Sequence, residues 1–170
     1  AVRASEKIRR AACRRGAGRG VRGRKIRRKI MLKGIPKIIG PELLKVLNEM
    51  GHGDEIVIAD GNFPCETYGK RVVRADGIGG KEMLDAVLSL IPLDTYASEN
   101  FLLMQTTEGD PVPGIWADYR EIAQKRDDHV RIGMLERFAF YERAARAYAV
   151  IATGEEAVYA NILLKKGVVR

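Results

Sequence analysis

The run Glu55-Ile-Val-Ile-Ala59 constrains the fold more than any other stretch of this chain. Its four successive apolar residues end at Asp60-Gly61 and show no apolar–polar alternation. A strand of that kind is buried on both faces, as in a parallel or mixed sheet covered by helices. The flanking segments fit such a sheet. Pro41 to Met50 reads as a short helix, with Pro41 in the first turn, Gly51 at the stop and Leu43, Leu44, Val46 and Leu47 as its apolar stripe. Arg71–Asp76 and Phe101–Thr107 read as strands, and Gly80–Leu90 as a helix ended by Pro92. After a Gly/Pro-rich loop at 108–114, Ile115–Arg126 is an amphipathic helix carrying Trp116 and Tyr119. Val130–Ile132 reads as a short strand and Glu136–Arg146 as a helix. Tyr148–Thr153 and Tyr159–Lys165 read as two closing strands around a turn at Gly154. Strands alternate with helices, so the class is α/β with a layered sheet.

Length and composition bound the rest. A chain of 170 residues with 46% hydrophobic content supports one domain with an ordinary core. No apolar run approaches the roughly 20 residues of a membrane helix. Cys13 and Cys65 are too few for a disulfide framework and read as free thiols of a reducing compartment, so a cytoplasmic location is expected. With two histidines and no C-x-x-C pair, a structural zinc site is not expected. Neither a Walker A pattern nor G-x-G-x-x-G behind a strand is present, so a phosphate cradle has no support.

The charge is unevenly placed. Residues 1–30 hold 13 Lys or Arg and a single acid, Glu6, for a net of +12; the whole chain carries +8, which leaves residues 31–170 at −4. The basic balance therefore belongs to an N-terminal extension, and the body at 31–170 gives no reason to expect nucleic acid. The extension has no Phe, Tyr or Trp, and its Gly-spaced Arg runs are expected to be disordered in isolation. It has three readings. It is a tail for nucleic acid or another acidic surface, binding through phosphates without base readout; or an Arg-rich targeting segment, which a single Ser fits poorly; or no part of the working protein, for Met31 stands directly before the first structured element.

Chemistry concentrates around the first strand. His52, in Gly51-His52-Gly53-Asp54, sits at a helix-to-strand junction, and Asp60 follows at the strand's far end. Imidazole alone among side chains has an unperturbed pKa, about 6.5, that lets it give and take protons near neutrality. In open α/β sheets ligands gather beyond the carboxyl ends of strands, which is where Asp60 lies. A carboxylate there can accept two sugar hydroxyls, or can simply cap the following turn. His129, after Asp127-Asp128, reads as a solvated loop residue.

Three segments carry a resemblance: Pro41 to Ile56 leading to Asp60 and Asn62-Phe63-Pro64; Glu136-Arg137-Phe138-Ala-Phe140-Tyr141-Glu142-Arg143; and Ala152-Thr153-Gly154-Glu155 with Tyr159-Ala160-Asn161 to Gly167. Together they resemble the ribose-pyranase/fucose-mutarotase family, and within it the branch acting on L-fucose, over roughly residues 31–169. The resemblance implies a three-layer α/β/α fold with a mixed, mainly parallel central sheet. It implies an L-fucose mutarotase activity, the interconversion of α- and β-L-fucose without metal or cofactor. It assigns general acid catalysis to His52 and sugar binding to Asp60, Arg137, Tyr159 and Asn161. It further implies a homo-oligomer, up to a decamer, whose sites are shared between subunits, with the Tyr159–Asn161 strand meeting a neighbour's His52. Phe140 and Tyr141 are expected in the core or at subunit contacts. Two departures from the family pattern stand out. Asn62 occupies the position of a second histidine found in bacterial relatives, and Ala160 replaces the glycine of a common Tyr-Gly-Asn, which would be costly if that position needed positive φ. D-ribose pyranase activity, a non-catalytic monosaccharide-binding role, and nucleic-acid binding through residues 1–30 are the alternatives.

Overall fold

The computed structural model describes residues 32–169. The expectations for residues 1–30 and for Cys13 lie outside them. Six strands form one sheet in the order β2-β5-β1-β6-β3-β4: β1 Glu55–Ala59, β2 Val72–Ala75, β3 Phe101–Met104, β4 Ile132–Leu135, β5 Ala149–Thr153 and β6 Ile162–Lys165. The β1–β5, β2–β5 and β3–β4 pairs are parallel, while β6 runs antiparallel to both its neighbours, β1 and β3. Five strands thus point one way and β6 alone is reversed. The start of β6 therefore lies at the carboxyl edge of β1 and β3.

The unbroken apolar run of β1 has the physical reason expected of it. Ile56 and Ile58 join the core on one face of the sheet, Val57 and Ala59 the core on the other, and all four are fully buried. The first core is closed by α1 (Pro41–Glu49), α3 (Gly80–Leu88) and α4 (Ile115–Arg126), through residues such as Leu43, Met83 and Tyr119. The second is closed by α2 (Cys65–Tyr68) and α5 (Arg137–Arg146), through Cys65, Phe140 and Ala144. The sandwich is the expected three-layer α/β/α arrangement with a mixed, mainly parallel sheet. Cys65 is a buried free thiol, and burial pushes its pKa up to about 11. Among the described residues no helix is long and apolar enough to cross a membrane.

Several boundaries differ from the sequence expectation. The last two strands do not pair with each other; β5 and β6 flank β1 on opposite sides. The short fourth strand spans Ile132–Leu135 rather than Val130–Ile132, in register with β3. The four-residue α2 was not expected, for it is too short to show helical periodicity. Most consequential, β6 begins at Ile162, so Tyr159 and Asn161 precede the strand.

Candidate functional site

A cavity of about 350 Å³ opens at the carboxyl edge of β1 and β3, beside the start of β6. Its lining includes Asp60, Arg137, Tyr159 and Asn161, four of the five residues expected to form the site. Each arrives from a different local device. Asp60 is the first residue after β1 and is 3% exposed. Its Oδ1 accepts from the Asn62 amide at 2.9 Å, so it does cap the following turn. Its Oδ2 accepts from Asn161 Nδ2 at 2.7 Å, and its own amide donates to Asn161 Oδ1 at 2.9 Å. Two buried polar groups thereby satisfy one another across the β1–β6 seam, as the cost of an unpaired buried donor requires. Burial pushes the Asp60 carboxyl above its ordinary value; hydrogen bonds from Asn62, Asn161, Ala160 and Phe63 act against that without cancelling it.

Tyr159 adopts φ 58, the only non-glycine positive φ among the described residues. The left-handed position falls on Tyr159, so Ala160 escapes the cost of positive φ, and Tyr159 and Asn161 lie ahead of β6 rather than on it as the sequence suggests. A bulky residue in that region costs about 1–3 kcal/mol and persists only where its surroundings impose it. Here α4 imposes it. Trp116 Nε1 donates to the Tyr159 carbonyl at 2.8 Å, and Tyr119 Oη donates to the Ala160 carbonyl at 3.2 Å. Tyr119 is fully buried, and burial, reinforced by Glu155 and Asp60, raises its phenol pKa and keeps the donor proton in place. The turn aims the Tyr159 side chain at the loop after β3. Its Oη donates to Asp110 Oδ2 at 2.5 Å and lies 3.0 Å from Thr107 Oγ1. Asp110 also lines the cavity; sequence reasoning passed over it as part of a Gly/Pro-rich loop.

Arg137 is the first residue of α5, whose N-cap, Glu136, accepts at Oε2 from the amides of Phe138 (2.7 Å) and Ala139 (3.1 Å). Its guanidinium lies 4.7 Å from the centre of the Phe138 ring. Tyr141, one turn on, reaches the cavity as well as stacking on Tyr68 at 4.9 Å, so it is more than the core or contact residue expected. Burial raises its phenol pKa, with Arg137 acting in the other direction. Phe140 is fully buried, as expected, and His129 is exposed. Phe63, Met104 and Val158 supply the apolar part of the wall, and Asn62 stands at the rim.

His52 is not in this cavity. It precedes β1 while Asp60 follows it, so the length of β1 alone separates them by roughly 13 Å. The turn bearing His52 is firmly built. Gly53 has φ 86, open to glycine at little cost, and its amide donates to the Lys166 carbonyl at 2.9 Å. The buried Lys166 ammonium donates to the Leu47 and Met50 carbonyls at the end of α1. His52 Nε2 lies 3.1 Å from Oδ1 of Asp94, a carboxylate 3% exposed. Burial works to raise the Asp94 pKa, but the Tyr96 amide, His52 and Lys165 outweigh it and hold the carboxyl below its ordinary value. An ionised carboxylate only accepts, so Nε2 carries the donated proton and Nδ1 is left for exchange. The imidazole itself is half exposed and meets the Tyr96 ring edge-on at 5.6 Å. Among the described residues no cluster of three or more His, Cys, Asp or Glu is placed to hold a metal ion.

Fold and crevice together define an open-sheet α/β protein with a small pocket of mixed polar and apolar lining beyond its strand ends. Residues 33–169 match the family described as RbsD / FucU transport protein family, and the chain belongs to it. It is 47% identical over 146 residues to a fucose mutarotase of Bos taurus, covering 82% of this chain and 95% of that protein. Its fold is similar to that of the fucose mutarotase from Streptococcus pneumoniae solved in complex with L-fucose, with a TM-score of 0.79, 49% identity, and coverage of 82% of this chain and 100% of that one. It is also similar to FucU from Bifidobacterium longum, with a TM-score of 0.78, 58% identity, and coverage of 81% and 100%.

Proposed function

We propose that this chain is an isomerase, a mutarotase that interconverts α- and β-L-fucose by opening and reclosing the pyranose ring. The observation that carries the reading is the cavity in which Asp60, Asn161, Arg137 and Tyr159 converge beside an apolar wall. Relatives named fucose mutarotase cover nearly its whole described length, and one of them was solved with L-fucose. A sugar presents hydroxyls and a weakly polar ring face. Asp60 accepts hydroxyl protons, Arg137 offers donors in a fixed fork, and Phe63, Met104 and Val158 cover the methyl and the ring.

Ring opening needs a proton delivered to the ring oxygen and another removed from the anomeric hydroxyl. His52 delivers the first, held by Asp94 with Nδ1 outward. Because His52 stands at the opposite edge of β1 from the cavity, it acts on sugar held by a second copy of the chain. The working unit is thus a homo-oligomer with shared sites. It works in the cytoplasm, where Cys13 and Cys65 stay reduced, and residues 1–30 take no part in the chemistry.

Anomer-exchange NMR on the full chain tests this. The chain is expected to speed exchange of L-fucose above the buffer rate, and more than that of D-ribose. His52→Ala is expected to remove about 10²-fold of the enzyme-dependent rate, the typical contribution of general acid–base help. An unchanged rate in that variant would remove His52 from the chemistry. No acceleration by the wild-type chain, with sugar still bound, would favour a non-catalytic monosaccharide-binding protein.

A further inference from the structure

The mutarotase reading leaves the second proton unassigned, the one taken from the anomeric hydroxyl, and the loop between β3 and α4 supplies a group for it. Tyr159 is gripped twice by this one segment. Trp116, at the start of α4, holds its carbonyl, while Asp110 and Thr107 hold its phenol. The loop is folded to do so. The Asp110 amide donates to the Thr107 carbonyl at 3.0 Å, and Gly109 takes φ 91 between them, so both side chains turn toward the same oxygen. A strained backbone at Tyr159 and a dedicated carboxylate on its hydroxyl are more than a surface tyrosine needs.

We propose that Asp110 is a positioning residue that makes Tyr159 a two-way proton relay, so that this loop takes part in the isomerisation. The inference rests on the mutarotase reading above. With its hydrogen committed to Asp110, the Tyr159 oxygen presents lone pairs to the cavity and accepts the anomeric hydroxyl's proton. In the ring-opening step the sugar O1–H bond breaks, and that proton passes to Tyr159 Oη as the phenol's own proton passes to Asp110 Oδ2. The O1 electron pair forms the C1=O double bond. The C1–O5 bond breaks, and its pair takes a proton from the His52 imidazolium. Ring closure runs the same transfers backward on the other face of C1: O5 returns its proton to His52, and Asp110 returns one through Tyr159 to O1. No proton or electron is gained or lost over the cycle. A carboxylate suits the task where the Thr107 hydroxyl does not, because an ionised carboxylate is a base that accepts a proton outright, whereas a neutral hydroxyl must give one up to take one.

The test is a kinetic comparison on the full chain by anomer-exchange NMR with L-fucose. Asp110 is exposed, so Asp110→Asn leaves the core untouched while keeping one acceptor for the phenol. It is expected to lower kcat about tenfold or more, a share of the 10²- to 10⁴-fold typical of general acid–base help, with KM within about twofold. Asp110→Glu is expected to recover much of kcat. In a Tyr159→Phe background, Asp110→Asn is expected to add nothing, because the carboxylate acts through the phenol. A kcat unchanged by Asp110→Asn, a rise in KM alone, or full additivity with Tyr159→Phe would each overturn the relay while leaving the mutarotase reading intact. A wild-type chain that fails to speed exchange would overturn both.

Discussion

Asp60, the proposed hydroxyl acceptor of the cavity, shows how a site carboxylate works against the stability of its own fold. Its carboxyl is pushed upward by burial, so the folded state prefers the protonated form. A carboxyl raised in this way stabilises the fold fully only below its unfolded pKa, about 3.9, and loses that contribution as pH rises through the folded value. Asp60→Asn removes the titrating group, at the cost of setting an amide NH2 against the Asn62 or Asn161 donor. The melting temperature of wild type relative to that variant is therefore expected to rise as pH falls from 7 toward 4, because acid favours the protonated carboxyl, and fucose exchange by the variant should be lost at both. Melting curves at the two pH values check this; a wild type that loses ground to the variant on acidification would contradict it. Asp60 was legible in the sequence as a strand-end carboxylate, while its partner Asn161 emerged only from a distant motif. No local pattern could reveal that residues so far apart in sequence share two hydrogen bonds. Asp94 and Asp110 were missed for the same reason, since each is an ordinary loop aspartate until the fold brings His52 or Tyr159 to it.

At the scale of elements, periodicity carried what periodicity can. The helix Ile115–Arg126 appears with the expected bounds, and the apolar run of β1 is buried on both faces. The role of α4 was not visible, because its two aromatics showed only as members of an amphipathic helix, whereas their polar tips pin the turn at 159–160. The late start of β6 escaped for a related reason: Tyr-Ala-Asn reads as strand by composition, and only the backbone angle of Tyr159 takes it out. Helix α5 offers a direct test of element geometry. Glu136 satisfies two orphan amides at its N-terminus, immediately before Arg137. Glu136→Ala is expected to cost about 1 kcal/mol of stability, as the loss of an N-cap does, and to raise KM for fucose by loosening Arg137. Glu136→Asp should restore part of both. Urea unfolding with the exchange assay measures the pair of effects; an Ala variant with unaltered stability would show that the cap is idle.

For the whole molecule, the decisive fact is that one sheet carries the sugar pocket at one edge and the His52–Asp94 pair at the other. On the proposed reading, that layout makes a single chain an incomplete catalyst and makes association part of the chemistry. It also explains why reading along the chain suggested a partnership between His52 and Asp60 that the fold separates by the length of β1. Subunit complementation tests it most directly. His52→Ala and Asp60→Asn chains, each expected to be inactive, are mixed, dissociated and reassembled, and L-fucose anomer exchange is measured. If each site takes its imidazole from one copy and its pocket from another, random pairing leaves about a quarter of the sites whole, and about a quarter of the wild-type rate returns. Reassembled mixtures that stay as inactive as their parents would contradict the shared site.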